Sequence, residues 1–141
     1  MKLISTYLIL FLSFPLPATE LTGEWRGKGE ISTVGYEAKC ETINLSIKQE
    51  KKLIELQIFY LCPDYKEVFP RTLLQVEGNQ LFIESELVGA LNANGLSIER
   101  MGGRYSLWLI KKDNALFFRE LLASRYDFTM IEGDLKYEQN N

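Results

Sequence analysis

The 141-residue chain contains no histidine, and this limits its chemistry. There is no Ser-His-Asp or Cys-His arrangement, no histidine general base and no His-rich metal site. No phosphate-binding loop or dinucleotide fingerprint occurs; Gly102-Gly103-Arg104 reads as a turn. Carboxylates, two thiols and aromatic surface remain. Two-carboxylate glycoside chemistry is formally open, with Glu120 as its best candidate. In the segment ALFFRELLAS (115–124), Glu120 shares a strand face with Leu116, Phe118 and Leu122. Phe117, Arg119 and Leu121 share the other face, and the sequence does not settle which face is internal. An internal Glu120 needs an arginine or a tyrosine hydroxyl as partner; the blander placement is at a rim or on the surface. Glu84, Glu86, Asp127, Glu132 and Asp134 match no calcium-loop spacing. They read as a solvated face, so no metal and no cofactor are expected.

Cys40 and Cys62 are too far apart for a catalytic CxxC, and no histidine completes a zinc ligand set. The aromatic residues are spread over nearly every apolar segment. Ordinary packing explains most of them. The functional reading is a pocket for a small apolar or planar ligand, with Trp25, Tyr60, Trp108, Phe118 and Glu120 as candidate lining residues. Asn44-Leu45-Ser46 fits the glycosylation sequon but falls mid-strand.

The ends of the chain set the compartment. Lys2 precedes an apolar run from Leu3 to Phe14, followed by Pro15, Pro17 and Ala18. This reads as a secretory signal peptide over residues 1–18, because the run is shorter than the roughly 20 residues that span a bilayer. No cysteine follows the run, so lipid attachment is not expected. Cleavage after Ala18 leaves one domain, 19–141, secreted or periplasmic, with no integral membrane segment. Without Lys2 the basic residues fall from 16 to 15 against 19 acidic ones, a net charge of −4. A mildly acidic chain with dispersed basic residues is not a nucleic-acid binder. In an oxidising compartment Cys40 and Cys62 are expected to form a disulfide.

The elements that must position these residues read as strands. From Leu21 to Ser32 polar and apolar positions alternate without fault, and the dry face carries Gly23, Gly27 and Gly29 around Trp25. Turn signals then recur at about eight to twelve residues. Residues 36–48 and 53–62 form a hairpin pairing Ile47 with Ile54, Leu45 with Leu56 and Ile43 with Ile58. One β-bulge would then bring Cys40 level with Cys62. Residues 63–70 read as a loop. Gly78-Asn79 makes a tight turn pairing Val76 with Leu81. Asn92-Ala93-Asn94-Gly95 links two further strands. Residues 116–122 favour strand over helix, and the last strand, 126–137, is expected to break near Gly133. Eight or nine strands in sequential hairpin order predict an all-β, up-and-down antiparallel barrel, with a two-sheet sandwich as the alternative.

Gly23-Glu24-Trp25 on the first strand resembles the calycin superfamily, the lipocalins and their short relatives. The resemblance implies that Trp25 closes the barrel floor and that an arginine from the far end of the chain packs across it; Arg119 and Arg125 are the candidates. The run Gly23 to Gly29 also resembles the opening of nitrobindin-type haem barrels, but the histidine iron ligand has no counterpart here. The sequence therefore reads as a non-enzymatic, secreted or periplasmic lipocalin-like protein binding a small hydrophobic ligand. One alternative is an interaction module with a filled barrel, using its outer face or residues 63–70 on a protein or envelope partner. A carboxylate-dependent hydrolase is the other.

Overall fold

The computed structural model describes residues 19–68 and 71–139. The expected signal peptide, residues 1–18, lies outside the described residues. Among the described residues eleven strands follow one another: β1 (Gly23–Thr33), β2 (Tyr36–Glu50), β3 (Leu53–Cys62), β4 (Tyr65–Val68), β5 (Thr72–Glu77), β6 (Gln80–Ile83), β7 (Glu86–Asn92), β8 (Gly95–Arg100), β9 (Tyr105–Lys112), β10 (Ala115–Ala123) and β11 (Phe128–Tyr137). Ten of them form a closed antiparallel ring, in which β1 pairs with both β2 and β11 and β2 also pairs with β3. The eleventh, β4, lies on the edge of β3 that β5 also occupies. Cys62 to Phe59 face Tyr65 to Val68, and Leu56 to Leu53 face Thr72 to Gln75. Closure satisfies both lateral edges and rules out the open two-sheet alternative. The count exceeds the expected eight or nine in part because residues 65–68 are a strand within the expected loop.

Other differences are local. β2 and β3 pair as expected but are slid by two residues, so Ile47 faces Leu56, Leu45 faces Ile58 and Ile43 faces Tyr60. A slip of two leaves every side chain on its own face. The β7–β8 turn is only Ala93-Asn94. β10 is a strand paired on both edges, with Leu116, Phe118 and Glu120 buried in alternation. β11 runs unbroken through Gly133. Gly133 faces Gly29 across the β1–β11 pair. A Cβ on Gly29 would meet the carbonyl oxygen of Glu132 and Cδ1 of Ile43, while one on Gly133 would meet the carbonyl oxygen of Lys28. The glycines of the first strand thus let two backbones and Ile43 pack closely; they leave no empty space.

The bulge lies in the pairing of β2 with β1, and the β2–β3 pairing, where it was expected, runs without a register shift. The β1–β2 register shifts between Gly27 and Gly29, so Glu41 and Thr42 together oppose Lys28. Cys40 and Ile43 therefore both face inward. On β3 the buried row Ile54, Leu56, Ile58, Tyr60 and Cys62 is unbroken. Cys40 and Cys62 meet in a disulfide with their Cα atoms 4.0 Å apart. Among the described residues no helix is long and apolar enough to cross a membrane.

Candidate functional site

The strand directions give the barrel two unlike ends. At one end lie the starts of β1 and β10 and the end of β11. Residues 19–22 cross this end. Leu21 is fully buried; its backbone N–H donates to Gln49 Oε1 at 3.1 Å, and its carbonyl accepts the Trp25 indole N–H at 2.9 Å. Thr19 donates to the Ala93 carbonyl, and Lys111 Nζ donates to the Glu20 carbonyl at 3.0 Å. Trp25 meets the edge of Tyr137, with ring centroids 5.4 Å apart. Lys111 Nζ lies 5.8 Å from the centre of the indole.

The cation over Trp25 is therefore Lys111, the last inward position of β9. Arg119 points outward, holds Glu132 at 2.7 Å and stacks on Phe117. Arg125 lies over Tyr126 in the turn beyond β10. Neither arginine takes the floor position, because β10 turns Arg119 outward and Arg125 lies at the opposite end. A depression of about 880 Å³ outside the floor, lined by Lys111, Lys112, Asp113 and Lys136 among others, opens directly to solvent.

The interior at the other end is different. A cavity of about 290 Å³ is walled by Leu56, Ile58, Ile83, Ile98 and Leu107, with Thr72, Arg100, Met101 and Tyr105 toward the mouth. A second lobe of about 210 Å³ shares Met101 and Tyr105 and adds Tyr60, Glu120, Leu122, Thr129 and Ile131. Met101, 58% exposed in the β8–β9 turn, hangs over both.

Between the lobes stands a buried polar cluster. Glu120 is 5% exposed, with Leu107 and Ile131 as its cross-strand neighbours. Its Oε1 accepts the Tyr105 hydroxyl at 2.8 Å. Tyr60 is buried and its ring stacks on Tyr65, with centroids 5.7 Å apart. Burial first, then the Glu120 carboxylate and Tyr65, push the Tyr60 hydroxyl far above the ordinary phenol range. Burial and Glu120 do the same at Tyr105, while Arg100 works against them. The internal-glutamate alternative is the one realised, and its partner is a tyrosine hydroxyl.

Of the five candidate lining residues, only Tyr60 and Glu120 reach the open-end interior, and both line its smaller lobe rather than the larger one. Trp25 belongs to the floor. Phe118 is fully buried in the packed core between the two ends. Trp108 lies on the outer face, opposite Ser97 and Arg119. Arg100, Met101 and Tyr105 were not picked out from sequence. The alternation Leu96, Ile98, Arg100 on β8 and Tyr105, Leu107, Leu109 on β9 carries the signal for two of them. Among the described residues no group of three or more Cys, Asp or Glu is placed to hold a metal ion. No protein-family model matches the chain, and no curated protein matches it.

Proposed function

We propose that this chain is a non-enzymatic binder of a small apolar molecule, taken up in the open end of the barrel. The observation that carries the reading is the aliphatic-walled cavity of about 290 Å³ with a few polar groups at its mouth. Specific small-molecule sites combine an apolar wall with few, convergent polar groups, and this volume suits a ligand smaller than a typical drug. The crossed-over, fully packed opposite end supports uptake from one side only. The disulfide and the signal-like residues 1–18 support a secreted or periplasmic setting. Gly23-Glu24-Trp25 at the closed end supports a lipocalin-like, calycin relationship. A hydrolase reading needs a second carboxylate facing Glu120, and its cross-strand neighbours are Leu107 and Ile131.

Native mass spectrometry of protein purified from its own host tests the proposal. A co-purifying small molecule, lost on Ile98→Trp filling of the cavity, is the expected result. Bare protein in several preparations, together with no uptake of the neutral dye N-phenylnaphthylamine, would overturn it. One observation favours interaction with a protein partner as a second reading. Val34, Leu87, Met101, Leu122, Tyr126 and Phe128, all large and exposed, cluster at the turns and strand ends around the mouth.

A further inference from the structure

The cavity reading leaves open what kind of head group the mouth accepts, and the inference below rests on that reading. Arg100 and Tyr105 are directly opposed on β8 and β9. Directly opposed residues on one face of an antiparallel pair have Cβ atoms roughly 5 Å apart. Both side chains line the larger lobe.

Their hydrogen-bonding capacities are complementary. A carboxylate has no proton to give, so the 2.8 Å bond between Tyr105 and Glu120 uses the only proton of the phenol. The Tyr105 oxygen is left as an acceptor alone. Arg100 offers the reverse. Its Nη2 reaches Glu86 at 3.5 Å toward solvent, but its Nε–H is buried and has no hydrogen-bond partner among the described residues. A buried donor without a partner is costly, so a site that leaves one open is suited to a ligand that supplies the acceptor.

The charges at this point nearly cancel. Arg100 has Glu86 on its outer side, and Glu120 lies behind Tyr105 on the inner side. An ammonium ligand meets the Arg100 guanidinium, and a carboxylate ligand has no proton for the Tyr105 oxygen, leaving acceptor against acceptor; either ion must also leave its own hydration behind. A hydroxyl group carries one donor and two acceptor sites and no charge. It can donate to the Tyr105 oxygen and accept from Arg100 Nε while its tail lies against Leu56, Ile58, Ile83, Ile98 and Leu107.

We infer that the open end of the barrel selects uncharged, hydroxyl-headed apolar molecules, with the Arg100–Tyr105 cross-strand pair as the head-group clamp and Glu120 as the residue that fixes the Tyr105 proton.

The test compares three ligands with one tail: n-octanol, octanoate and octylamine, titrated calorimetrically into the full mature chain and by displacement of N-phenylnaphthylamine. Octanol is expected to bind about tenfold more tightly than either ion, the value of roughly one additional net hydrogen bond. Tyr105→Phe and Arg100→Met should each reduce octanol affinity to that of the ions, with near-UV circular dichroism confirming the fold. Arg119→Ala, on the outer face, should keep the preference. Octanoate binding as well as octanol or better would make Arg100 a counter-ion and overturn the inference. Octylamine doing so would assign the site to the field of Glu120 and overturn it equally. Equal affinities for all three would show that the head group is not read. In each of these cases dye uptake still supports the cavity, whereas failure of both dye and ligands to bind would sink the cavity reading itself.

Discussion

Raising the pH should unfold this protein by a route that can be assigned to two residues. Tyr60 and Tyr105 are held protonated in the fold by burial and by Glu120, whereas in the unfolded chain they titrate near the ordinary phenol value of about 10. Above that value the unfolded state sheds two protons that the folded state keeps. It then binds fewer protons, so unfolding free energy falls as pH rises; below about pH 10 the stabilisation is fully present. Each group contributes a slope of about 1.4 kcal/mol per pH unit, and the pair roughly 2.7. Between about pH 9 and about pH 11.5 the integrated loss is on the order of 4 kcal/mol, a large share of the roughly 5–15 kcal/mol that keeps a domain folded. Denaturant titrations at a series of pH values would measure it, with tyrosinate absorbance of the folded protein followed in parallel. The comparator is Tyr60→Phe with Tyr105→Phe, which keeps both rings and removes both hydroxyls, so that lysine titration cancels. A wild-type slope steeper than that of the double variant by about 2.7 kcal/mol per pH unit is the expected result. Parallel slopes, or folded-state absorbance in which every tyrosine ionises near pH 10, would refute the reasoning.

Three further outcomes follow from the packing. Alkylation under denaturing, non-reducing conditions should find no free thiol, and replacing Cys40 and Cys62 by alanine should cost about 3 kcal/mol in denaturant unfolding; two labelled cysteines would refute the bond. Gly29→Ala should cost about 2–3 kcal/mol, and trimming Ile43 should not restore it, because the added Cβ also meets the backbone carbonyl of Glu132. Leu21→Ala should cost about 3 kcal/mol, since Leu21 is fully buried at the closed end, whereas Arg119→Ala on the outer face should cost under about 1 kcal/mol; thermal or denaturant unfolding of the two variants compares them directly.

How far the sequence carries depends on which physical signal a residue leaves. Alternation of period two is strong in β1 and β3, so the two-faced strands and the face carrying Tyr60 were legible, whereas β10 carries apolar residues on both faces and left its inward side open. The pair Val76–Leu81 was legible because Gly78-Asn79 fixes a turn geometry as well as a pattern. The β2–β3 register was not. A two-residue slip keeps the same faces, and only the short Lys51-Lys52 turn distinguishes the alternatives. β4 was hidden because Tyr65 to Val68 is only four residues long and follows Pro63-Asp64. Glu120 showed in the pattern, but its orientation depended on pairing with β9 and β11. Arg100 and Tyr105 form a site only because Met101-Gly102-Gly103-Arg104 folds their strands into register. The charge over Trp25 was sought as an arginine on the basis of family resemblance; the inward row of β9 supplies Lys111 instead.

The ring of strands also constrains the order of events in folding. Every pairing around it joins strands close in sequence except that between β1 and β11, where Trp25 meets Tyr137 and Gly29 meets Gly133. Until the last strand exists, the chain can form at most a curled ribbon with two unsatisfied edges. Closing the ring brings together segments from opposite ends of the chain, the kind of step that slows β-rich folding and leaves sheet edges open to other chains meanwhile. The closed ring is therefore reachable only once β11 has been made. Before that point local hairpins such as β2–β3 can form, while β1 keeps one edge open for a strand of another chain.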